Sequence, residues 1–216
     1  MKPDIVSQLD IFFSRYPEYS KEKGTTLIHA GDAPPGIIYL TSGIVREYAI
    51  TRKGEEVTVN LFKPFAYFPM SLILNETKNR YYFVAITPVS YRLAPGADVI
   101  QYISRKPEIL LDLLSRVYRG TDGLLLRLEY ALTGSATMKV VYTILNAAYR
   151  FGEPTPGGTR IPLRITHKDL ATLSGTSRET FSREIKKLEN ENLITIQEGC
   201  IIVNNLEKLE EMLLGV

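Results

Sequence analysis

The polar and apolar side chains of residues 178–188 sort onto opposite sides of a helix. Phe181, Ile185 and Leu188 recur at i, i+4 and i+7 and share one face; Arg178, Glu179, Ser182, Arg183 and Lys186 take the other. A guanidinium can donate two hydrogen bonds to O6 and N7 of guanine, and a glutamate can accept from the amino group of cytosine. Arg178, Glu179 and Arg183 therefore form a candidate set of base contacts. Thr166, Lys168, Ser177 and Thr180 fall near predicted helix starts, where hydroxyls, an ammonium group and unpaired backbone N–H groups meet phosphates. The alternative for such a face is a solvated amphipathic helix held by i, i+4 pairs.

The elements around this row favour the first reading. Thr166 precedes Asp169 by three, an acidic variant of a capping box, and Leu170 with Leu173 supply the buried side of a first helix. Ser174-Gly175-Thr176 makes a turn in which glycine can take positive φ. Thr176 precedes Glu179 by three and offers a second capping box, with Ser177 as the alternative cap. Two β-prone runs, 193–197 and 200–203, flank Glu198-Gly199 and predict a hairpin wing. Two capped helices, a tight turn and a wing follow winged helix-turn-helix logic, in which the second helix enters the major groove.

Upstream, a short amphipathic helix is predicted at 8–16. Runs at 25–29, 37–40, 44–50, 57–62, 81–87 and 89–93 then read as strands, because Gly and Pro punctuate them every several residues. Short strands without interleaved helices predict an antiparallel jelly roll. Leu110, Leu114, Val117, Thr121, Leu124 and Leu128 next recur at alternating steps of four and three, the spacing of a coiled-coil seam. This stripe either pairs with its twin or packs on its own β domain. Gly120 and Gly123 weaken the helix by about 1 kcal/mol each relative to alanine, or permit close approach. Gly134 marks a helix end and a hinge. The expected fold is α+β: a β roll over 1–102, a long central helix and hinge over 103–135, and a winged helix-turn-helix over 136–216.

The composition narrows the chemistry further. Twenty-six Lys and Arg against 24 Asp and Glu leave a net charge of only +2, so any nucleic-acid surface must be local. Residues 136–190 hold nine basic and five acidic side chains, whereas 191–216 hold one and five. A single cysteine, Cys200, excludes a cysteine-ligated iron–sulfur cluster and a Cys-based zinc site, and two histidines leave little for other metal centres. No metal site is expected. No run approaches the roughly 18 to 20 apolar residues of a membrane span, and the opening residues lack the apolar run of a signal peptide. A cytoplasmic location without membrane partners follows.

Gly175-Thr-Ser-Arg-Glu-Thr-Phe-Ser-Arg183, followed by Leu188-Glu189 and Leu193-Ile194, closely resembles the cyclic-AMP receptor protein and fumarate–nitrate regulator (CRP/FNR) family of bacterial transcription factors. The likeness runs along the whole chain. Gly24, Gly31-Asp32, Ile38-Tyr39-Leu40, Ser42-Gly43 and Gly54 look like the turns and strands of the family's cyclic-nucleotide-binding-type roll, and residues 103–133 look like its dimerisation helix. The resemblance implies a homodimer on a palindromic operator of double-stranded DNA with TGA-containing half-sites, RNA polymerase as a partner, and a small-molecule effector held between roll and central helix. It also implies that Arg178, Glu179 and Arg183 read bases.

The effector region departs from the family pattern. Nucleotide binders carry a Gly-Glu pair ten residues before an arginine followed by Ser and Ala. Aligned on Arg80, Pro69 and Met70 stand at the pair, and Tyr81 and Tyr82 follow. The ribose acceptor is missing, and Leu124 and Leu125 fall where adenine contacts are expected, so cyclic AMP is disfavoured as effector. Phe68, Met70, Arg80, Tyr81, Tyr82, Leu124 and Leu125 would make an apolar pocket with one cation, fit for an aromatic or hydrophobic anion, or would simply fill the core. Two rivals to a DNA-binding regulator are a cupin-type β-roll enzyme and a protein-interaction module.

Overall fold

The computed structural model describes residues 3–161 and 167–214. The chain divides into two compact units, one ending at Arg119 and the other beginning at Gly120.

The first unit opens with helix α1 (Pro3–Phe13), whose Ile5, Leu9, Phe12 and Phe13 fall on one buried stripe while Asp4 sits in the positively polarised first turn. Strands β1 (Glu18–Lys21), β2 (Thr26–Ile28), β3 (Ile37–Ser42), β4 (Val45–Ile50), β5 (Glu56–Phe62) and β6 (Tyr67–Phe68) follow. Next come helix α2 (Met70–Asn75), strands β7 (Tyr82–Ala85) and β8 (Val89–Ala94), and helix α3 (Gly96–Ser104). They form two antiparallel four-stranded sheets, β1-β8-β3-β6 and β2-β7-β4-β5. One core lies between the sheets: Ile38, Leu40, Phe68, Val89 and Tyr91 of the first meet Val45, Phe83 and Ala85 of the second. Ile37 and Tyr39 point to the opposite face of β3, where α1, Val99, Ile103 and Ile109 cover them. Strand β3 is therefore buried on both faces, which explains its unbroken apolar run. Gly43 turns the chain from β3 into β4 at φ 79°, and a Cβ there would lie 2.1 Å from the Pro88 carbonyl.

Helix α4 (Pro107–Thr133) spans 27 residues and continues through Gly120 and Gly123. It begins at Pro107 and not at 103, because α3 ends at Ser104 and proline takes the first helical position of a new helix. Its one fully buried residue is Ile109.

The second unit is built on α5 (Ala136–Phe151), capped by Ser135, whose Oγ accepts from the Met138 N–H at 3.3 Å. Strands β9 (Glu153–Thr155) and β10 (Gly158–Ile161), helices α6 (His167–Ser174) and α7 (Arg178–Asn190), strands β11 (Ile194–Gln197) and β12 (Cys200–Val203), and helix α8 (Leu206–Leu214) complete it. The strands form one antiparallel sheet in the order β11-β12-β10-β9. The predicted wing hairpin is present, with Glu198 and Gly199 both at positive φ as a two-residue turn between right-twisted strands requires. The β9–β10 hairpin was not anticipated; its turn lies at Pro156-Gly157.

Candidate nucleic-acid interface

Helix α7 packs its inner face on α5 and α6. Phe181, Ile185 and Leu188 are fully buried there, together with Leu170 and Ala171 of α6 and Val140, Val141, Ile144 and Leu145 of α5. The turn before it is fixed by short bonds: Gly175 adopts φ 66°, Thr176 N donates to the Ala171 carbonyl at 3.0 Å, and the Ser174 and Thr176 hydroxyls lie 2.7 Å apart. That pairing occupies Thr176, so the cap falls to Ser177, whose Oγ accepts from the Thr180 N–H at 3.1 Å. The capping box from Thr176 is thereby corrected. At its other end α7 closes with Asn192 at φ 57°, Leu193 N donating to the Leu188 carbonyl at 2.9 Å and Asn192 N to that of Glu189 at 3.0 Å. This C-terminal motif fixes where the wing departs.

Of the predicted base contacts, Arg178, Glu179 and Arg183 are all exposed on α7, as is Lys186, while Ser182 is partly buried. The Arg183 side chain is 63% exposed. Glu179 is held below the usual carboxylate range by its own backbone N–H and by the Ser177 hydroxyl, so it stays an acceptor at neutral pH. Among the predicted phosphate contacts, Thr180 is partly exposed beside the cap and Ser177 is exposed. Thr166 lies outside the described residues; Lys168 is in the first turn of α6, and its side chain lies outside them too. Glu184 escaped the sequence reading. It is 2% exposed and takes bonds from Thr137, Arg183 and Lys187. Its place between Phe181 and Leu188 on the inner stripe was the available signal.

The residues of the supposed effector pocket that belong to the first unit are divided among different surroundings. Phe68 is fully buried and stacked on Phe62 and Phe83, with centroids 4.1 and 5.6 Å away. Tyr81 packs on that same core, Met70 packs on the other core, and Arg80 is exposed. Tyr82 stacks on Tyr48 at 5.2 Å. Leu124 and Leu125, in the second unit, are exposed. A residue the sequence reading passed over, Glu47, lies opposite Asn60 and Phe83 on the strand face that carries Val45, Ala85 and Phe62 inward. Burial pushes its carboxyl up to about 7. Among the described residues no cluster of His, Cys, Asp and Glu is arranged to hold a metal, and no helix is long and apolar enough to cross a membrane.

Along α4, Leu110, Leu114, Val117, Leu124 and Leu128 of the predicted seam are 47 to 54% exposed, and Thr121 lies in the same row. So large an apolar exposure on one helix is unusual for a chain that acts alone.

The comparisons with known proteins divide as the two units do. Residues 19–106 match the cyclic nucleotide-binding domain and residues 138–212 the Crp-like helix-turn-helix domain. The chain is 30% identical over 190 residues to a global nitrogen regulator from Synechocystis, covering 85% of this chain and 83% of that protein. It is 27% identical over 212 residues to a cyclic AMP receptor protein from Thermus thermophilus, with 97% and 94% covered. A CRP/FNR-family transcriptional regulator from Thermus thermophilus shares the fold with a TM-score of 0.71 at 24% identity, over 91% of this chain and 98% of that one. A CooA mutant from Carboxydothermus hydrogenoformans does so with a TM-score of 0.76 at 17% identity, over 93% and 88%. These relatives are regulators, and the enzymatic alternative finds no support among them. Regulators of this kind bind DNA and are typically dimers. A β-rich domain matching the cyclic nucleotide-binding model, a long helix and a helix-turn-helix in one chain, matched over more than four fifths of a relative's length, place this protein in the CRP/FNR family of DNA-binding transcription regulators.

Proposed function

We propose that the protein works in the cytoplasm as a homodimer paired along α4, and that it reads a palindromic operator by placing one copy of α7 in each of two successive major grooves. The observation that carries this reading is the division of α7 into a fully buried apolar face and an exposed row of Arg178, Glu179 and Arg183. The half-exposed leucine row supports the pairing. Thr180, with Thr166 and Lys168, anchors phosphates; Ser177 contributes through the helix start that it caps. TGA-containing half-sites and contact with RNA polymerase are expected from the family likeness. The effector is other than cyclic AMP, because Pro69 and Met70 stand where a ribose acceptor is needed, and an ionisable Glu47 faces the roll interior.

Selection of binding sites from a random duplex library by the full-length protein tests this. Enriched sites should contain two inverted half-sites with centres about one helical turn apart. Arg183→Ala should cost about 1 to 3 kcal/mol on that operator and relax preference at one base pair, whereas Lys168→Ala should weaken all duplexes alike. Enrichment of asymmetric sites, or equal losses on operator and random DNA for the Arg183 variant, would overturn the reading.

A further inference from the structure

Glu184, on the inner face of α7, is 2% exposed. Its carboxylate is held from three sides. Thr137 Oγ1 donates to Oε2 at 2.8 Å, Lys187 Nζ lies 3.0 Å from both oxygens, and Arg183 Nε donates to Oε1 at 3.3 Å. Thr137 stands in the first turn of α5, where the helix N-terminus adds positive potential. Burial raises the pKa of the acid, but the bonds from Lys187, Thr137 and Arg183 outweigh it and keep the group ionised.

Stability alone does not call for a charge at this position. An apolar residue would complete the stripe of Phe181, Ile185 and Leu188 and avoid desolvating a carboxylate, and replacement of buried ion pairs by packed apolar groups is often neutral or better. The distinctive consequence of a carboxylate lies next door. A bond at Nε fixes the Arg183 guanidinium by its inner edge and leaves both terminal NH2 groups for an acceptor pair such as guanine O6 and N7. An arginine ordered before DNA arrives has less rotamer freedom to lose on binding.

We propose that Glu184 is a positioning residue for sequence reading, acting through Arg183 by holding its guanidinium in the base-reading orientation against the start of α5. This rests on the reading of Arg183 as a base contact. The test is a double-mutant cycle on the full-length protein, with affinities for the selected operator and for a scrambled duplex measured by fluorescence anisotropy at one salt concentration. Glu184→Ala should lower the operator-to-scrambled ratio by about 5- to 10-fold, while scrambled-duplex binding holds or rises because an acid near phosphates has gone. In an Arg183→Ala background the same change should leave the ratio unmoved. Thermal unfolding monitors the fold. If Glu184→Ala does not fold, Glu184→Gln, which still accepts from Thr137, should give a smaller loss of the ratio with the same dependence on Arg183.

A merely electrostatic role would raise binding to both duplexes equally, and a merely structural one would lower the melting temperature with the ratio preserved. Either result, or losses that add in the double variant, overturns the proposal. If Arg183→Ala itself leaves the ratio intact, it is the base-reading assignment that has failed.

Discussion

Two neighbouring charges in β4 show how differently one strand can treat ionisable side chains. Arg46 and Glu47 point to opposite faces; Arg46 is buried over the Tyr48 ring at 4.3 Å and pairs with Glu56, whereas burial is the sole cause that raises the Glu47 carboxyl to about 7. The sign of its effect on stability follows from linkage. Between the ordinary carboxylate value of about 4.5 and about 7, the folded protein keeps a proton that the unfolded chain has lost, so stability falls as pH rises through that window. Glu47→Gln should abolish this slope and stabilise the protein at pH 8 by about 2 to 3 kcal/mol. Urea unfolding at a series of pH values measures both. A variant whose stability curve ran parallel to that of the parent chain would contradict the assignment. Asn60, opposite Glu47 on β5, gives it a polar neighbour in this part of the roll.

Among the elements, α4 carries the clearest consequence. Each leucine that passes from half exposure into a seam contributes about 1 kcal/mol, half of the 1.5 to 3 kcal/mol of full burial, and in a symmetric pair each position counts twice. Leu114→Glu with Leu128→Glu should therefore raise the dimer dissociation constant by at least about 100-fold. Light scattering coupled to size exclusion should report a monomer, and binding to a palindromic operator should fall with it. The heptad spacing made this helix legible because its signal repeats over three turns of the pattern. Its start did not share that advantage: the change from α3 to α4 rests on the short segment Arg105-Lys106-Pro107. Strand β1 was missed for a related reason, since all four of its residues are exposed and no alternation marks it; only its pairing with β8 makes it a strand. In α7 the apolar periodicity and the turn were readable. The choice of Ser177 over Thr176 as cap was not, because it depends on the contact between Thr176 and Ser174. Glu184 hid among charged neighbours, since a charged residue is assigned to the solvent until its partners on another helix are known.

For the molecule as a whole, the small net charge of +2 means that DNA affinity depends on a few placed cations and helix ends and not on a general basic field. The plot of log affinity against log salt for the operator should have a slope of about −4 to −5. That corresponds to a loss of roughly 10²- to 10³-fold between 50 and 200 mM salt, by counterion release. Anisotropy titrations check this, and a slope near zero would show that phosphates are not the anchor. The second unit also carries its own reporter. Cys200, the only thiol in the chain, is 2% exposed in β12, an inner strand between β11 and β10, and Arg160 donates to its sulfur at 3.6 Å. A sulfur so enclosed is alkylated only when those strands part. The rate at which a small alkylating reagent consumes it in native buffer is thus a clock for the breathing of the sheet, readable by mass alone and without any introduced label.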